Sequence, residues 1–495
     1  MTIESTRVKE FLNNNKEFQV YEKSVRRLDN SEWMIAKKGL DKVLIVKGDS
    51  ELLNRLEGEL VEDEIKIAPT NHENRLVLND LFPFTKPRAF GNKVTTMGVG
   101  DRLGLASPGH IEVMRNRQVK PILAQQSIRE LNLTSRTIYD VLDSAAYAAF
   151  QEGYTEGFGA DGDHLKEKED IKLALDAGMT MLTLDCSDHI NNDVESYSSD
   201  ELEEKYKAIP EDERQTFEDR YLNKTFDLNG LTITFSKEEL MYNVLLYIDA
   251  LKYMVLINEE FILPATQEID FEISIDETET VTQPRSHFFV ANELINQNVT
   301  VNSLAPRFIG EFQKGVDYMG DIEAFEKDLE KHALIAKHFD YKLSIHSGSD
   351  KFSAFPIIAK YTDGLFHLKT AGTNWLEAIR VLAKYNPSLF ERMHKYAFEN
   401  FHVAQAYYHI TPDLDSIKPI EEMSAEEYPE YMNDRNARQV WHVTYGVLLT
   451  AKNEDGSSQF KEEFFESLID LEDEYRESLV NHIGKHLDLL NIEER

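Results

Sequence analysis

The sequence predicts an α/β fold, a (β/α)8 barrel of the TIM type with additional segments. The first observation is that the hydrophobic period switches repeatedly between two, typical of strands, and about 3.6, typical of helices. The second is that the switch recurs often enough to supply eight strands. The third is that polar and charged residues follow one predicted strand after another, as they do at the C-terminal face of such barrels.

The strand and helix patterns alternate along the chain. The strand pattern occurs at residues 94–97, 121–124, 157–161, 181–184, 271–275, 302–305, 343–345 and 365–368. Helical patterns occur at residues 108–117, 135–151, 165–177, 287–296 and 322–338. This order predicts a parallel sheet with right-handed crossovers, and eight units favour closure into a barrel. No Gly-x-Gly-x-x-Gly follows the first predicted strand, so a dinucleotide-binding sheet is not indicated.

The predicted barrel occupies residues 93–375 and leaves three segments to be placed. Residues 1–92 are predicted to form an N-terminal α/β extension. The stretch at about 191–262 is too long for a simple connection and is interpreted as a helical insertion after strand 4. Residues 376–495 are predicted to form a C-terminal helical region, packed on the barrel or on a neighbouring subunit of a homo-oligomer.

Charge and cysteine content narrow the classes of partner. The chain has 495 residues and a formal net charge of -35, which argues against nucleic acid as a ligand. The single cysteine, Cys186, excludes an intramolecular disulfide and fits a reducing compartment, so we expect a cytoplasmic protein. No apolar run is predicted to approach the length of a membrane span, and no secretion signal is recognised, so no membrane partner is expected.

Alternate side chains of a barrel strand point inward, so polar residues two positions apart can face one ligand. The residues that share a face in this way are Lys342, Ser344 and His346 on strand 7, Glu272, Ser274 and Asp276 on strand 5, and His367 and Lys369 on strand 8. Glu272 and Lys342 lie deeper than the others. We expect them to form a structural buried pair.

Imidazoles and carboxylates are concentrated at the exit ends of the predicted strands. The members of this set are Asp163, His164, Asp185, Asp276, Glu277, Glu311, His346 and Lys369. Such a mixture suits Mn, Fe, Co, Ni or Zn in an open site with two histidines and a carboxylate. A histidine is more often structural than a ligand. His164 and His346, however, end their strands among Gly, Ser and Asp, so both interpretations stay open for them.

Other candidates have plain alternatives. Asp163 is either a base at the edge of the pocket or the N-cap of the following helix. Residues 185–189, DCSDH, form a second group of ligand-type residues or simply a turn. Cations near strand exits could hold an anionic substrate, although surface ion pairs are the commoner role for such residues. The candidates are Arg102, Arg129, Arg307, Lys314 and Lys369, and we predict Arg102 and Lys369 to bind substrate.

Five separated segments carry a resemblance to a known family. They are GDRLGLASPGH at 100–110, AQQSIRE at 124–130, GFGADGDHLK at 157–166, SLAPRFIGEFQKG at 303–315 and HSGSDKFS at 346–353. In these segments the chain resembles the tagaturonate/fructuronate epimerase family. The resemblance extends over most of the predicted barrel.

The resemblance implies a divalent-metal-dependent isomerase that inverts C4 of a 2-keto-hexuronate, a small-molecule substrate. Carried onto this sequence, it implies His164, Glu311 and His346 as metal ligands, Asp163 as proton acceptor and Glu277 as proton donor. Asp276 competes with Glu277 for the last role, because strand parity points Asp276 inward. The C4 hydroxyl is β to the C2 carbonyl, so we expect retro-aldol cleavage and re-addition.

Two other functions stay open at this point. One is a different metal-dependent barrel enzyme, a keto-sugar isomerase or an aldolase. The other is a sugar-acid-binding protein without catalytic activity.

Overall fold

Eight parallel strands close into a barrel in the computed structural model, which describes residues 2–276 and 280–494. Barrel strands 1 to 8 are Thr96–Gly98, Lys120–Ser127, Gly159–Leu165, Met181–Asp185, Asp270–Ile275, Ser303–Pro306, Lys342–Ile345 and Phe366–Lys369. Each strand pairs in parallel with the next, and the barrel closes where His367 of strand 8 lies beside Thr96 of strand 1. The predicted fold class is confirmed.

Each predicted strand overlaps an observed one, and the largest difference is in strand 3. That strand was predicted at 157–161 but continues through Asp163 and His164 to Leu165. The following helix begins at Lys168, with Glu167 in the N-cap position. Asp163 is therefore not a helix cap, because it belongs to the strand, and that alternative is wrong.

Helices follow the barrel strands and cover the barrel. They are Ser107–Met114, Ile128–Thr134, Ile138–Gln151, Lys168–Ala177, Pro284–Asn296, Ile322–His338, Phe355–Thr362 and Thr373–Tyr385. Local sequence explains several of their ends. Thr137 and Asp140 form a reciprocal capping box at the start of Ile138–Gln151. Gly178 ends Lys168–Ala177 in a left-handed conformation, with φ at 102°.

The N-terminal segment forms an antiparallel sheet against the barrel. Its strands are Phe18–Val20, Arg26–Leu28, Ser31–Lys38, Asp41–Lys47, Glu59–Glu62 and Ile65–Pro69, with helices Thr6–Asn14, Ser50–Leu53 and His72–Leu81. One face of the sheet buries Trp33 and Leu44 in a cluster with Tyr147 and Phe150 of the barrel helix Ile138–Gln151.

The C-terminal residues form helices that pack on the barrel. They are Pro387–Glu399, Phe401–Gln405, Arg435–Val443, Tyr445–Thr450, Lys461–Asp470 and Glu472–Leu489. The last helix lies against Ser107–Met114, where a Cβ on Gly109 would come within 3.1 Å of Leu479. Ile483 and Leu487 of the same helix are fully buried in the barrel's own hydrophobic cluster.

A mainly helical insertion follows strand 4, with helices Ser199–Lys207, Glu211–Tyr221 and Lys237–Ile257 and a small hairpin, Phe226–Asp227 with Thr232–Ile233. The expectation that no apolar run approaches the length of a membrane span is wrong. Lys237–Ile262 is long and apolar enough by composition, with a mean hydropathy of 1.5 over an 18-residue window. Because 67% of that window is buried inside the protein, we interpret the segment as a core helix.

Candidate active site

A bulge at the exit end of strand 3 turns two consecutive side chains toward one cavity. Leu182 of strand 4 lies opposite Gly162, but Leu184 lies opposite Leu165, so strand 3 contains one extra residue at this point. His164 has a φ of 53°, in the left-handed region, which is uncommon for residues other than glycine. The irregular backbone explains how both Asp163 and His164 line the cavity.

The two histidines predicted from sequence lie side by side at the mouth of the barrel. The ring centroids of His164 and His346 are 4.7 Å apart, with the rings edge to face. Asp276, at the end of strand 5, completes a group whose ligand atoms, one from each residue, all lie within 4.8 Å of one another. Two imidazoles and one carboxylate with this spacing form a donor set suited to a divalent transition metal.

Acidic groups on both sides hold the His346 ring. Its Nε2 lies 2.8 Å from Glu272 Oε1, and its Nδ1 lies 3.2 Å from Asp276 Oδ1. Asp276 also accepts a hydrogen bond from the Ser274 hydroxyl. Burial lowers the pKa of His346, but Asp276 and Glu272 outweigh burial and raise it to about 10. The surroundings therefore stabilise positive charge at this position.

Lys369 occupies the centre of the barrel among three carboxylates. Its Nζ lies 2.6 Å from Asp163, 3.0 Å from Asp161 and 3.1 Å from Glu272. It also donates to the Thr183 hydroxyl at 2.5 Å. Burial raises the pKa of Asp163, yet the Lys369 ammonium holds it well below its ordinary value. Asp163 is thus an ionised carboxylate with one oxygen fixed.

The expected buried pair between Glu272 and Lys342 does not form. Glu272 bonds instead to His346 and Lys369, while the Lys342 ammonium donates to Thr96 Oγ1 at 2.9 Å. The Lys369 ammonium lies close enough to Glu272 to satisfy its charge. Glu272 therefore belongs to the site rather than to a separate structural pair.

Part of the second ligand-type group, residues 185–189, also reaches the site. Asp185 Oδ2 lies 3.6 Å from His164 Nδ1 and 3.8 Å from the Lys166 ammonium. His189 lies elsewhere, stacked on Tyr253 with the ring centroids 4.1 Å apart. Asp185 can therefore orient His164 from behind, which is the usual position of a carboxylate next to a metal-binding imidazole.

Of the two glutamates implied by the resemblance, the structure describes only Glu311. Glu311 lies in an adjoining cavity, where it accepts a hydrogen bond from Gln313 at 2.8 Å and lies 3.1 Å from His409 Nε2. It is not in the described group of three ligand residues. Glu277 lies outside the described residues.

Arg102, predicted to bind substrate, lines the cavity but has its guanidinium engaged. Its Nε and Nη2 donate to Glu130 at 2.8 and 2.5 Å, and the group stacks over Tyr445 at 4.0 Å from the ring centroid. Both partners hold it in place, because Glu130 neutralises its charge and Tyr445 covers its face. Lys369, the other predicted cation, is surrounded by carboxylates.

The cavity above the histidines has a volume of about 250 Å³, and the adjoining cavity about 380 Å³. The two spaces meet at the residues that line both, which are Arg129, Asp276, Lys314, His346, Ser347 and Tyr408. The Lys314 ammonium donates to Ser347 Oγ at 2.9 Å, and the Arg129 guanidinium stacks over Tyr408 at 4.7 Å. We refer to the part of this junction that Arg129 and Lys314 form as the cationic junction.

Sequence reasoning missed several members of the site. Asp161 could have been found, because it lies two positions before Asp163 on the same strand. Tyr408 and His409 carry no local signal, since they come from the C-terminal region and reach the barrel only through the tertiary fold.

A second trio with the spacing of a metal site, Asp350, His482 and His486, lines neither of these two cavities. Asp350 pairs with Arg438 at 2.7 Å and with His482 at 2.5 Å. The Nε2 of His486 accepts the backbone N–H of Asp350 at 3.1 Å. We interpret these bonds as a structural contact, in which Arg438 supplies the positive charge that balances the Asp350 carboxylate.

Comparison with known proteins gives consistent results. The family model for tagaturonate epimerase (UxaE) matches residues 21–490. The tagaturonate/fructuronate epimerase of Thermotoga maritima is 41% identical over 477 residues, covering 96% of this chain and 97% of that protein.

Solved structures agree over nearly the whole chain. The glycerol-bound crystal structure of the fructuronate-tagaturonate epimerase UxaE from Cohnella laeviribosi has a TM-score of 0.96 and 52% identity, covering 99% of this chain and 100% of that one. The native crystal structure of the same protein gives a TM-score of 0.95 with the same identity and coverage. The chain belongs to the tagaturonate epimerase family.

Proposed function

We propose that this protein interconverts D-tagaturonate and D-fructuronate by inverting the configuration at C4, with a divalent metal as cofactor. The observation that carries the proposal is the convergence of His164, His346 and Asp276 at the mouth of a barrel, in a chain of this family. The names of the two relatives support the substrate pair. A cytoplasmic location and self-association remain predictions from the sequence.

His164, His346 and Asp276 are the residues that would hold the metal. Their donor set fits Mn, Fe, Co, Ni or Zn and leaves positions for substrate oxygens. Glu311, implied as a ligand by the resemblance, would first have to leave His409. When bound, the cation would supply Lewis-acid stabilisation of the negative charge that develops at the C2 carbonyl oxygen, a contribution of several kcal/mol.

The proposed reaction is retro-aldol cleavage followed by aldol addition. Asp163 accepts the proton of the C4 hydroxyl, the C3–C4 bond breaks, and its electron pair moves toward the C2 carbonyl. The resulting aldehyde turns about its remaining bond, C3 re-forms the bond on the opposite face, and a proton returns to the C4 oxygen. Glu277 stays the proposed donor on that face. The substrate neither gains nor loses an atom, and exchange of one proton with solvent at each group returns Asp163 to the ionised form and Glu277 to the protonated form.

Lys369 has a defined part in this scheme. Its ammonium donates to Asp163 and keeps that carboxylate ionised in a buried place, which a proton acceptor requires. Asp161 and Glu272 in turn balance the charge of Lys369. Lys369 is therefore a positioning residue for Asp163 rather than a contact for the substrate's carboxylate.

We assign the carboxylate of the substrate to the cationic junction, with Lys314 as its main contact. The barrel centre is lined by Asp161, Asp163 and Glu272, which would repel a second anion. Lys314 lines the junction instead, and its ammonium donates to Ser347, which also lines both cavities.

The test is product analysis with C4-deuterated tagaturonate and metal-loaded protein. We expect fructuronate to form with the deuterium retained and no net three-carbon products, because the C4–H bond is never broken. Loss of the label to solvent would rule out the retro-aldol route. Net cleavage would indicate an aldolase, and binding without turnover, unchanged after metal removal, would indicate a sugar-acid-binding protein.

A further inference from the structure

A buried ammonium group joins two loops of the cavity. Lys351, in the loop after strand 7, is fully buried, and its Nζ donates to the backbone carbonyl oxygens of Gln313 at 2.9 Å, Val316 at 2.7 Å and Ser349 at 2.9 Å. Three donors are the full capacity of an ammonium, and each meets a neutral carbonyl oxygen. The three carbonyl oxygens form a small binding site for a monovalent cation, which we call the carbonyl cradle. The Lys351 ammonium occupies it.

The two loops that meet at this cradle both line the catalytic cavity. One is the loop after strand 6, which carries Glu311, Gln313 and Lys314, and the other carries His346 and Ser347. Nearer to the cavity, Lys314 bridges the same two loops through its bond to Ser347. The two loops are therefore joined twice, by Lys314, which lines the cavity, and by Lys351, which is buried and lines neither cavity.

The neighbouring residue fixes the strand 7 loop from the other side. The Asp350 carboxylate pairs with Arg438 at 2.7 Å and with His482 at 2.5 Å, and both partners belong to the C-terminal helices. Asp350 has a φ of 62°, in the left-handed region, so this conformation costs energy that the surrounding bonds must offset. Asp350 thus ties this short segment to the C-terminal helices, and Lys351 ties it to the loop after strand 6. The two sets of contacts restrict its movement.

We propose that Lys351 is a positioning residue whose ammonium sets the distance between the loop carrying Lys314 and the loop carrying His346. This inference rests on the proposed function only where activity is measured. An uncharged side chain of similar length would leave three buried carbonyl oxygens without a donor, and the loops would separate to reach water. The metal group should be unaffected, because Glu272 and Asp276 hold His346 directly.

The experiment compares Lys351→Met with a matched control, Lys360→Met, which removes an exposed lysine paired with Glu326. The first readout is hydrogen exchange of the amides at 311–316 and 346–350. We expect the amides of both loops to exchange faster in Lys351→Met than in the wild type. In the control, Lys360→Met, we expect their exchange rates to equal those of the wild type. The second readout is turnover of tagaturonate, where we expect at least a tenfold loss of kcat/KM with the metal content unchanged, since small misplacements of binding groups reduce rates strongly.

Chemical rescue separates positioning from simple loss of stability. Lys351→Ala leaves the carbonyl cradle open, so added propylammonium should slow loop exchange again and restore part of kcat/KM, whereas propanol, which has the same shape but no charge, should do neither. Unchanged loop exchange in Lys351→Met, or equal rescue by propanol, would overturn the proposal. If wild-type protein does not turn over tagaturonate, the proposed function fails, but the exchange readout still decides on Lys351.

If neither Lys351→Met nor Lys351→Ala folds, Lys351→Arg decides. It keeps the charge but places a wider head group between the same carbonyl oxygens. We expect a folded protein with altered exchange in both loops and reduced kcat/KM. Exchange and kinetics identical to those of the wild type would overturn the proposal.

Discussion

The replacement of Lys369 by methionine tests the charge balance inside the barrel. The substitution keeps the length of the side chain but removes the ammonium that lies 2.6 to 3.1 Å from Asp163, Asp161 and Glu272. At an effective dielectric constant of ~20, each ion pair at about 3 Å is worth ~5 kcal/mol before desolvation is subtracted. Removal of one partner from a buried pair costs about 3–5 kcal/mol.

Because three carboxylates lose a common partner, we expect the upper part of that range, a loss of about 5 kcal/mol in the free energy of unfolding. This loss is comparable with the whole stability of a marginal domain, which is roughly 5–15 kcal/mol. The measurement is denaturant unfolding of metal-free protein followed by circular dichroism. The double variant Lys369→Met with Asp161→Asn should recover part of the loss, since it removes one of the unpaired charges.

The loss should also depend on pH. Burial raises the pKa of Asp161 to about 6, with Lys369 opposing the shift. A carboxyl whose folded-state pKa is raised contributes stability that is present below its unfolded pKa and lost as pH rises through its folded pKa. Without Lys369 the shift should grow, so the variant should be less destabilised at pH 5 than at pH 8. A free energy of unfolding within 1 kcal/mol of wild type, or a double variant less stable than the single one, would refute the reasoning.

Two further predictions concern the cavity and the C-terminal contact. Lys314→Met should raise the KM for tagaturonate about 10- to 100-fold, since a hydrogen bond to a charged group contributes roughly 1.5–3 kcal/mol, and unchanged steady-state kinetics would show that the carboxylate binds elsewhere. His482 lies between Glu377 and Asp350. Burial lowers the pKa of His482, but these two carboxylates outweigh burial and raise it. The stabilising contribution of His482 is therefore present at acidic pH and is lost as pH rises through its folded-state pKa. Unfolding of His482→Gln should therefore show a deficit of about 1–3 kcal/mol at pH 6 that shrinks by pH 9; a deficit that grows with pH would contradict this.

The barrel was predictable because its strands have a period of two and its helices one near 3.6. The helix Ile322–His338, for example, was predicted with its observed ends, since Asp321 caps it and its apolar face is regular. The bulge at His164 was not predictable. It depends on how strand 3 pairs with strand 4, and a sequence pattern carries no information on local register.

Within the site, sequence pattern and resemblance identified both histidines and Asp163, and strand parity identified Asp276. Strand parity did not predict which carboxylates pair with Lys369. Its partners Asp161, on strand 3, and Glu272, on strand 5, lie far from it in the chain. Parity also gave no information on Arg102, whose role follows from the approach of Glu130 and Tyr445. Such contacts between distant segments arise only when the chain is folded.

The most direct test of the central claim is the metal content of wild-type protein and of three variants. Each protein is loaded with the metal and then dialysed exhaustively against metal-free buffer before the measurement. The account predicts one divalent ion per chain in the wild type and in the control His402→Ala, which removes an exposed histidine. It predicts loss of that ion, together with epimerase activity, in both His164→Ala and His346→Ala. Retention of a full equivalent of metal by either of these two variants would contradict the account.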